Sequence, residues 1–137
     1  MRHETAAHRA AERETALRFC ALLPGTTPRK REDEIDWDLL DERGRVRAFF
    51  EVKNRTCPSR QFRTCVCDLT KVRFAEKLAK ATKKRVLYVV RWTDGMGVLD
   101  INLASYKVGS MTLRNPRDQY DKNDPVAEFA INQFRIW

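Results

Sequence analysis

No run of apolar residues in this 137-residue chain approaches the roughly 18 that a membrane-spanning helix needs. The N-terminus mixes Arg and Glu and has no apolar core of the kind a secretory signal carries. Histidine is nearly absent: His3 and His8 fall in the frayed start of the first predicted helix and are assigned no role. The four cysteines, Cys20, Cys57, Cys65 and Cys67, sit in a chain with no sign of secretion, so free thiols are expected rather than a disulfide framework. The C-x7-C-x-C spacing of the last three is not a zinc spacing and has no histidine nearby. There is no internal repeat and no low-complexity segment. Acid is scarce in one place: residues 55–91 hold 2 acidic side chains against 11 basic ones.

What is present points to one domain spanning 1–137, with 42% hydrophobic residues to build a core and 34% charged residues. The net charge of +8 suggests an anionic partner. Residues 1–54 are balanced, with 11 basic and 11 acidic side chains, and residues 92–137 hold 5 and 6. The positive excess therefore lies in the middle of the chain, where a polyphosphate backbone is its natural counterpart.

Immediately before that segment lies Glu34 to Lys53, which reads as a hairpin. Ile35, Trp37 and Leu39 alternate with Asp36 and Asp38 in the first arm, and Gly44 supplies the turn. The second arm ends Phe49-Phe50-Glu51-Val52-Lys53. Alternation puts Glu51 and Lys53 on one face, about 6–7 Å apart, and Phe50 and Val52 on the other. With Asp36 or Asp38 from the first arm they form an acid-acid-base cluster. Two converging carboxylates repel unless a cation lies between them, and hard oxygen ligands favour magnesium or manganese.

The flanking segments are read as follows. Residues 5–23 form an amphipathic helix ended by Pro24-Gly25, with Ala10, Leu17, Cys20 and Ala21 near one face and Glu14 on the same stripe. Residues 26–33 form a polar loop carrying Arg29-Lys30-Arg31. Residues 54–67 carry Arg55, Arg60 and Arg63 around Gln61 and Phe62, the mixture a nucleic-acid-facing loop uses; Phe62–Val66 reads as a strand. Asp68 caps a helix over 69–84 whose apolar stripe is Leu69, Val72, Ala75 and Ala79. Arg73, Lys77, Lys80 and Lys84 form a second, cationic stripe suited to phosphates. Arg85–Trp92 is a central strand reached by a crossover, which implies a mixed sheet, and Val98–Leu103 returns beside it. Tyr106–Asp124 reads as a loop, and Phe129, Ile131, Phe134, Ile136 and Trp137 as a closing strand or short helix.

Asp36, the hairpin and the Glu51-Val52-Lys53 triplet resemble the Asp and ExK of the PD-(D/E)XK nuclease superfamily. Asp33, Asp36 and Trp37 add a D-x-x-D-aromatic pattern similar to its small phage-type members. The likeness spans roughly residues 10–103. It implies a restriction-endonuclease-like α/β core, a mixed central sheet flanked by helices. It implies an endonuclease that hydrolyses DNA phosphodiester bonds with Mg²⁺ or Mn²⁺, RNA being left open as substrate. Asp36 and Glu51 would ligate the metal, with the Val52 carbonyl and Glu14 (Glu12 the runner-up) completing the set. Lys53 would orient or deprotonate the attacking water, and Lys71, at the edge of the second helix's packed face, would hold phosphate. Asp38 remains an alternative to Asp36. The resemblance also implies a cytoplasmic protein, in the host cytoplasm if phage-encoded, and a homodimer is compatible with the aromatic C-terminus. The alternative reading is a non-catalytic nucleic-acid-binding protein on the same fold.

Overall fold

The computed structural model describes residues 5–110 and 124–137. In chain order the elements are helix α1 (Ala6–Ala21) and strands β1 (Thr27–Lys30), β2 (Trp37–Leu40), β3 (Val46–Asn54) and β4 (Thr64–Asp68). Helix α2 (Leu69–Thr82) follows, then β5 (Arg85–Trp92), β6 (Gly95–Asp100), β7 (Tyr106–Ser110), β8 (Pro125–Ala130), a 3₁₀ turn (Ile131–Gln133) and β9 (Arg135–Ile136). Six strands form one sheet in the order β1-β2-β3-β5-β6-β9, and three form another in the order β4-β8-β7. Among the described residues only β3 and β5 are paired in parallel in the large sheet; its other neighbours are antiparallel. This is the α/β architecture with a mixed sheet that the sequence implies.

Local chemistry explains the hinges of this layout. The β2–β3 turn closes because the Asp41 carboxylate accepts from the Arg43 and Arg45 N–H groups, each at 2.9 Å, while Gly44 takes φ 77°. Parallel pairing of β3 and β5 requires a crossover, supplied by β4 and α2. Asp68 caps α2 by accepting from the Thr70 N–H at 2.8 Å, and Lys83 ends it in the left-handed conformation.

The large sheet has one helix on each face. Trp37, Phe50, Val52 and Val89 join Ala16, Phe19 and Cys20 of α1, with the Phe19 and Phe50 rings 5.0 Å apart. Phe49, Val86, Tyr88 and Val90 join Leu69, Val72, Ala75 and Ala79 of α2. The second sheet adds Cys65, Cys67, Ala127 and Phe129 to this α2-side core. Strand alternation therefore sends Glu51 and Lys53 to the α2 face, and the register agrees, since Glu51 lies beside Tyr88 and Lys53 beside Val90.

Several expectations are corrected. The buried line of α1 is Thr15, Ala16, Phe19 and Cys20, whereas Ala10, Leu17 and Ala21 are exposed. An alanine-rich helix has no strong apolar stripe to mark its face, so the sequence misplaced it. Ile35 packs on the α2 side, opposite Trp37 and Leu39, because β2 begins only at Trp37 and the alternation does not extend into the preceding bend. Residues 27–30 are a strand, not a loop. Phe62 lies outside β4 and is exposed, and β4 leaves the large sheet to pair with β8. The predicted loop from Tyr106 starts as β7; residues 111–123 of it lie outside the described residues. Among the described residues no helix is long and apolar enough to cross a membrane.

Candidate active site

The β2–β3 pairing sets Trp37 opposite Phe50, which brings Asp36 opposite Glu51 on the α2 face. The two acids meet: the Asp36 backbone N–H donates to Glu51 Oε1 at 3.2 Å. Both are buried, Asp36 at 6% and Glu51 at 4% exposure. Lys71, from the first turn of α2, donates to Glu51 Oε2 at 2.6 Å. Burial first, and the Asp36 charge second, push the Glu51 carboxyl up to about 8, with Lys71 pulling the other way. The same burial, reinforced by the Glu51 charge, pushes the neighbouring Cys67 thiol upward.

Asp36 and Asp38 face the same side, but their surroundings differ. Asp38 is clasped on both oxygens: Arg29 Nη2 lies 2.8 Å from Oδ2 and Arg31 Nη1 2.7 Å from Oδ1. Asp36 has Lys30 Nζ at 3.3 Å from Oδ1, while its Oδ2 is buried and has no donor among the described residues. A buried carboxylate oxygen without a partner is costly. This orphaned oxygen beside a second buried carboxylate is the feature a divalent cation fits. Among the described residues no group of three or more His, Cys, Asp or Glu side chains is placed to hold a metal, so the carboxylate set here is a pair.

The basic run at β1 is what sequence reasoning missed. Arg29, Lys30 and Arg31 serve the two aspartates, and Arg31 also lies 4.6 Å over the Phe49 ring and Lys30 5.3 Å over Trp37. Three cations a few residues ahead of two alternating acids were the available signal. It becomes legible only with the β1–β2 register, which sets Arg29 opposite Asp38.

The remaining residues scatter. Lys53 is half-buried on the Glu51 face at the end of β3. Val52 is buried, in the ladder beside Val89. Glu14 is not brought to the acid pair. It pairs with Arg18 at 3.1 Å and with Arg91 at 3.6 Å. Arg91 alternates with Val90 and so projects on the α1 face, opposite Glu51. Glu12, half-buried, is the acid nearer the packed line of α1. Arg55 donates through Nη2 to the Val66 carbonyl at 2.9 Å, while Arg60 and Arg63 are exposed. Helix α2 begins beside Glu51 and ends where β5 starts, level with Ala48. Arg73, two residues past Lys71, is about 200° around the helix and so on its other flank, where its charge acts on Tyr106; Lys80, nine residues beyond Lys71, lies about 14 Å farther along the axis. Lys77, Lys80 and Lys84 recede toward the far end of the sheet.

The arrangement is a buried carboxylate pair with one orphaned oxygen, flanked by lysines from a strand and a helix. Such a set can hold a hard cation and present ammonium groups to an anion. No curated protein matches the chain. One family model does, over residues 1–136, and the chain belongs to the family it describes, "Phage putative PDDEXK endonuclease".

Proposed function

We propose that this protein is a metal-dependent endonuclease that hydrolyses DNA phosphodiester bonds, and that Asp36, Glu51, Lys53 and Lys71 carry the reaction. The supporting observation is the Asp36–Glu51 carboxylate pair, buried together, with no donor at Asp36 Oδ2 among the described residues. Asp36, Glu51 and the Val52 carbonyl would hold Mg²⁺ or Mn²⁺. Such a cation, once bound, supplies positive charge against the phosphate oxygens and acidifies water. Asp36 is preferred to Asp38 because both Asp38 oxygens are already satisfied by guanidinium groups. Glu14 has no part in this reading, given its place on the opposite face. Lys53 orients the attacking water and offsets charge that develops on the phosphate. Lys71, now on Glu51, would release it and hold a phosphate oxygen instead. Arg60 and Arg63 take the backbone near the cut; Arg73, Lys77, Lys80 and Lys84 are left off this path.

The test is conversion of supercoiled plasmid to nicked or linear DNA, with Mg²⁺, with Mn²⁺ and with chelator. Cleavage should require the ion and vanish in Glu51→Gln. A purified protein that binds DNA but never cuts it under any of these conditions would establish the non-catalytic binder instead.

A further inference from the structure

The segment between β3 and β4 is held more tightly than an ordinary connection. Its neck is cinched by Arg55, whose guanidinium reaches the Val66 carbonyl at 2.9 Å. The Cys57 carbonyl accepts from the Thr93 N–H at 3.1 Å. Ser59 is buried and fixed twice to Asp94, through its N–H at 2.8 Å and its Oγ at 3.0 Å. The Gln61 N–H turns back to the Pro58 carbonyl at 3.2 Å, and the Arg63 carbonyl accepts from the Ile131 N–H at 2.9 Å. These ties leave Arg60, Gln61 and Phe62 as an exposed tip, with Phe62 at 52% exposure. A lone exposed phenylalanine is ordinary; one held out on a loop anchored along its length, between arginines, is preorganised for a partner with a flat apolar face and negative charge. The segment leaves the strand that carries Glu51 and Lys53 and returns through Asp68 to the helix that carries Lys71.

We propose that this tip is a base-stacking finger: Phe62 packs on an unstacked base while Arg60 and Arg63 take the adjoining phosphates. The preferred substrate is then DNA whose base stack is interrupted, rather than continuous duplex. This rests on the nuclease reading above for its setting, but its test does not use cleavage. Full-length protein in chelator is titrated against an intact duplex and against the same duplex with a single-nucleotide gap flanked by 2-aminopurine. Wild type should bind the gapped DNA about tenfold more tightly and change the probe's fluorescence, a stacked base having that order of effect on affinity. Phe62→Ala should lose both the preference and the fluorescence change, and Phe62→Trp should retain them. Arg60→Ala should weaken binding to both DNAs alike. Equal affinity of the wild type for the two DNAs, or a preference that survives Phe62→Ala, overturns the finger. A protein that nicks plasmid yet fails here keeps the nuclease reading; one that prefers the gap yet never cuts keeps only the finger.

Discussion

Glu51 is the residue on which stability and chemistry pull in opposite directions. Its carboxyl is pushed up to about 8 by burial and by Asp36, so the folded protein holds a proton that the unfolded chain releases near its ordinary value. The folded state is thereby favoured below the unfolded value, and that contribution is lost as pH rises toward 8. Metal-free wild type should lose on the order of 3–5 kcal/mol between pH 4.5 and 8. Glu51→Gln should flatten this dependence and melt higher at pH 8, which calorimetry in chelator checks, while abolishing cleavage. Lys71→Met removes the partner of a buried acid and should destabilise the metal-free protein by about 1–3 kcal/mol at pH 8. Combined with Glu51→Gln the loss should largely disappear, and a double-mutant cycle by urea melts measures the coupling. Strand alternation is local, so the sequence made the shared face of Glu51 and Lys53 legible. It put Asp36 and Asp38 on one side and favoured Asp36 by the family pattern alone, since what separates them is the clasp of Arg29 and Arg31, a matter of pairing between strands.

At the scale of elements, α2 and the β3–β4 connection divide the positive charge. The sequence placed four cations on one helical stripe over 69–84; the helix carries Arg73, Lys77 and Lys80 but ends at Thr82, so Lys84 lies beyond its cap, and the direction in which the stripe leaves the acids was not legible. Helix α2 begins at Glu51, so successive turns carry its lysines away. Replacing Lys80 and Lys84 by Ala should therefore change the slope of log affinity against log salt by less than about 0.5. Replacing Arg60 and Arg63 should lower it by roughly 1–2. Fluorescence anisotropy across a salt series separates the two, and a larger effect from the helix would move the DNA path onto α2. Glycine matters in β6: a Cβ at Gly97 would lie 2.5 Å from Cζ3 of Trp92. Gly97→Ala should cost about 1–3 kcal/mol as the buried indole is displaced, read from a thermal melt. The face of α1 was not legible because alanines present nearly the same surface all round.

Over the whole molecule, the order α1, β2, β3, α2, β5, β6 followed from the sequence, whereas the edge strand β1 and the second sheet did not. Strand β4 pairs with β8, about sixty residues away in the chain, and periodicity within a strand says nothing of so distant a partner. The two sheets nevertheless share one apolar core. Phe129 of the second sheet is fully buried and lies 6.4 Å from the ring of Tyr88 in the first. Phe129→Ala should cost about 3–5 kcal/mol, and unfolding should remain a single transition in which near-UV and far-UV signals coincide. Two separate transitions would mean that the sheets fold independently. The margins of the large sheet carry a further consequence. One margin is β1, where Pro28 has no N–H to offer and Arg29 and Lys30 bring charge; the other is β9, only two residues long. Neither offers a long, uncharged row of backbone donors and acceptors to an incoming strand. Two copies of this chain would therefore not join by continuing this large sheet from one into the other, and a partner that meets it there must meet side chains rather than a free backbone edge of this sheet.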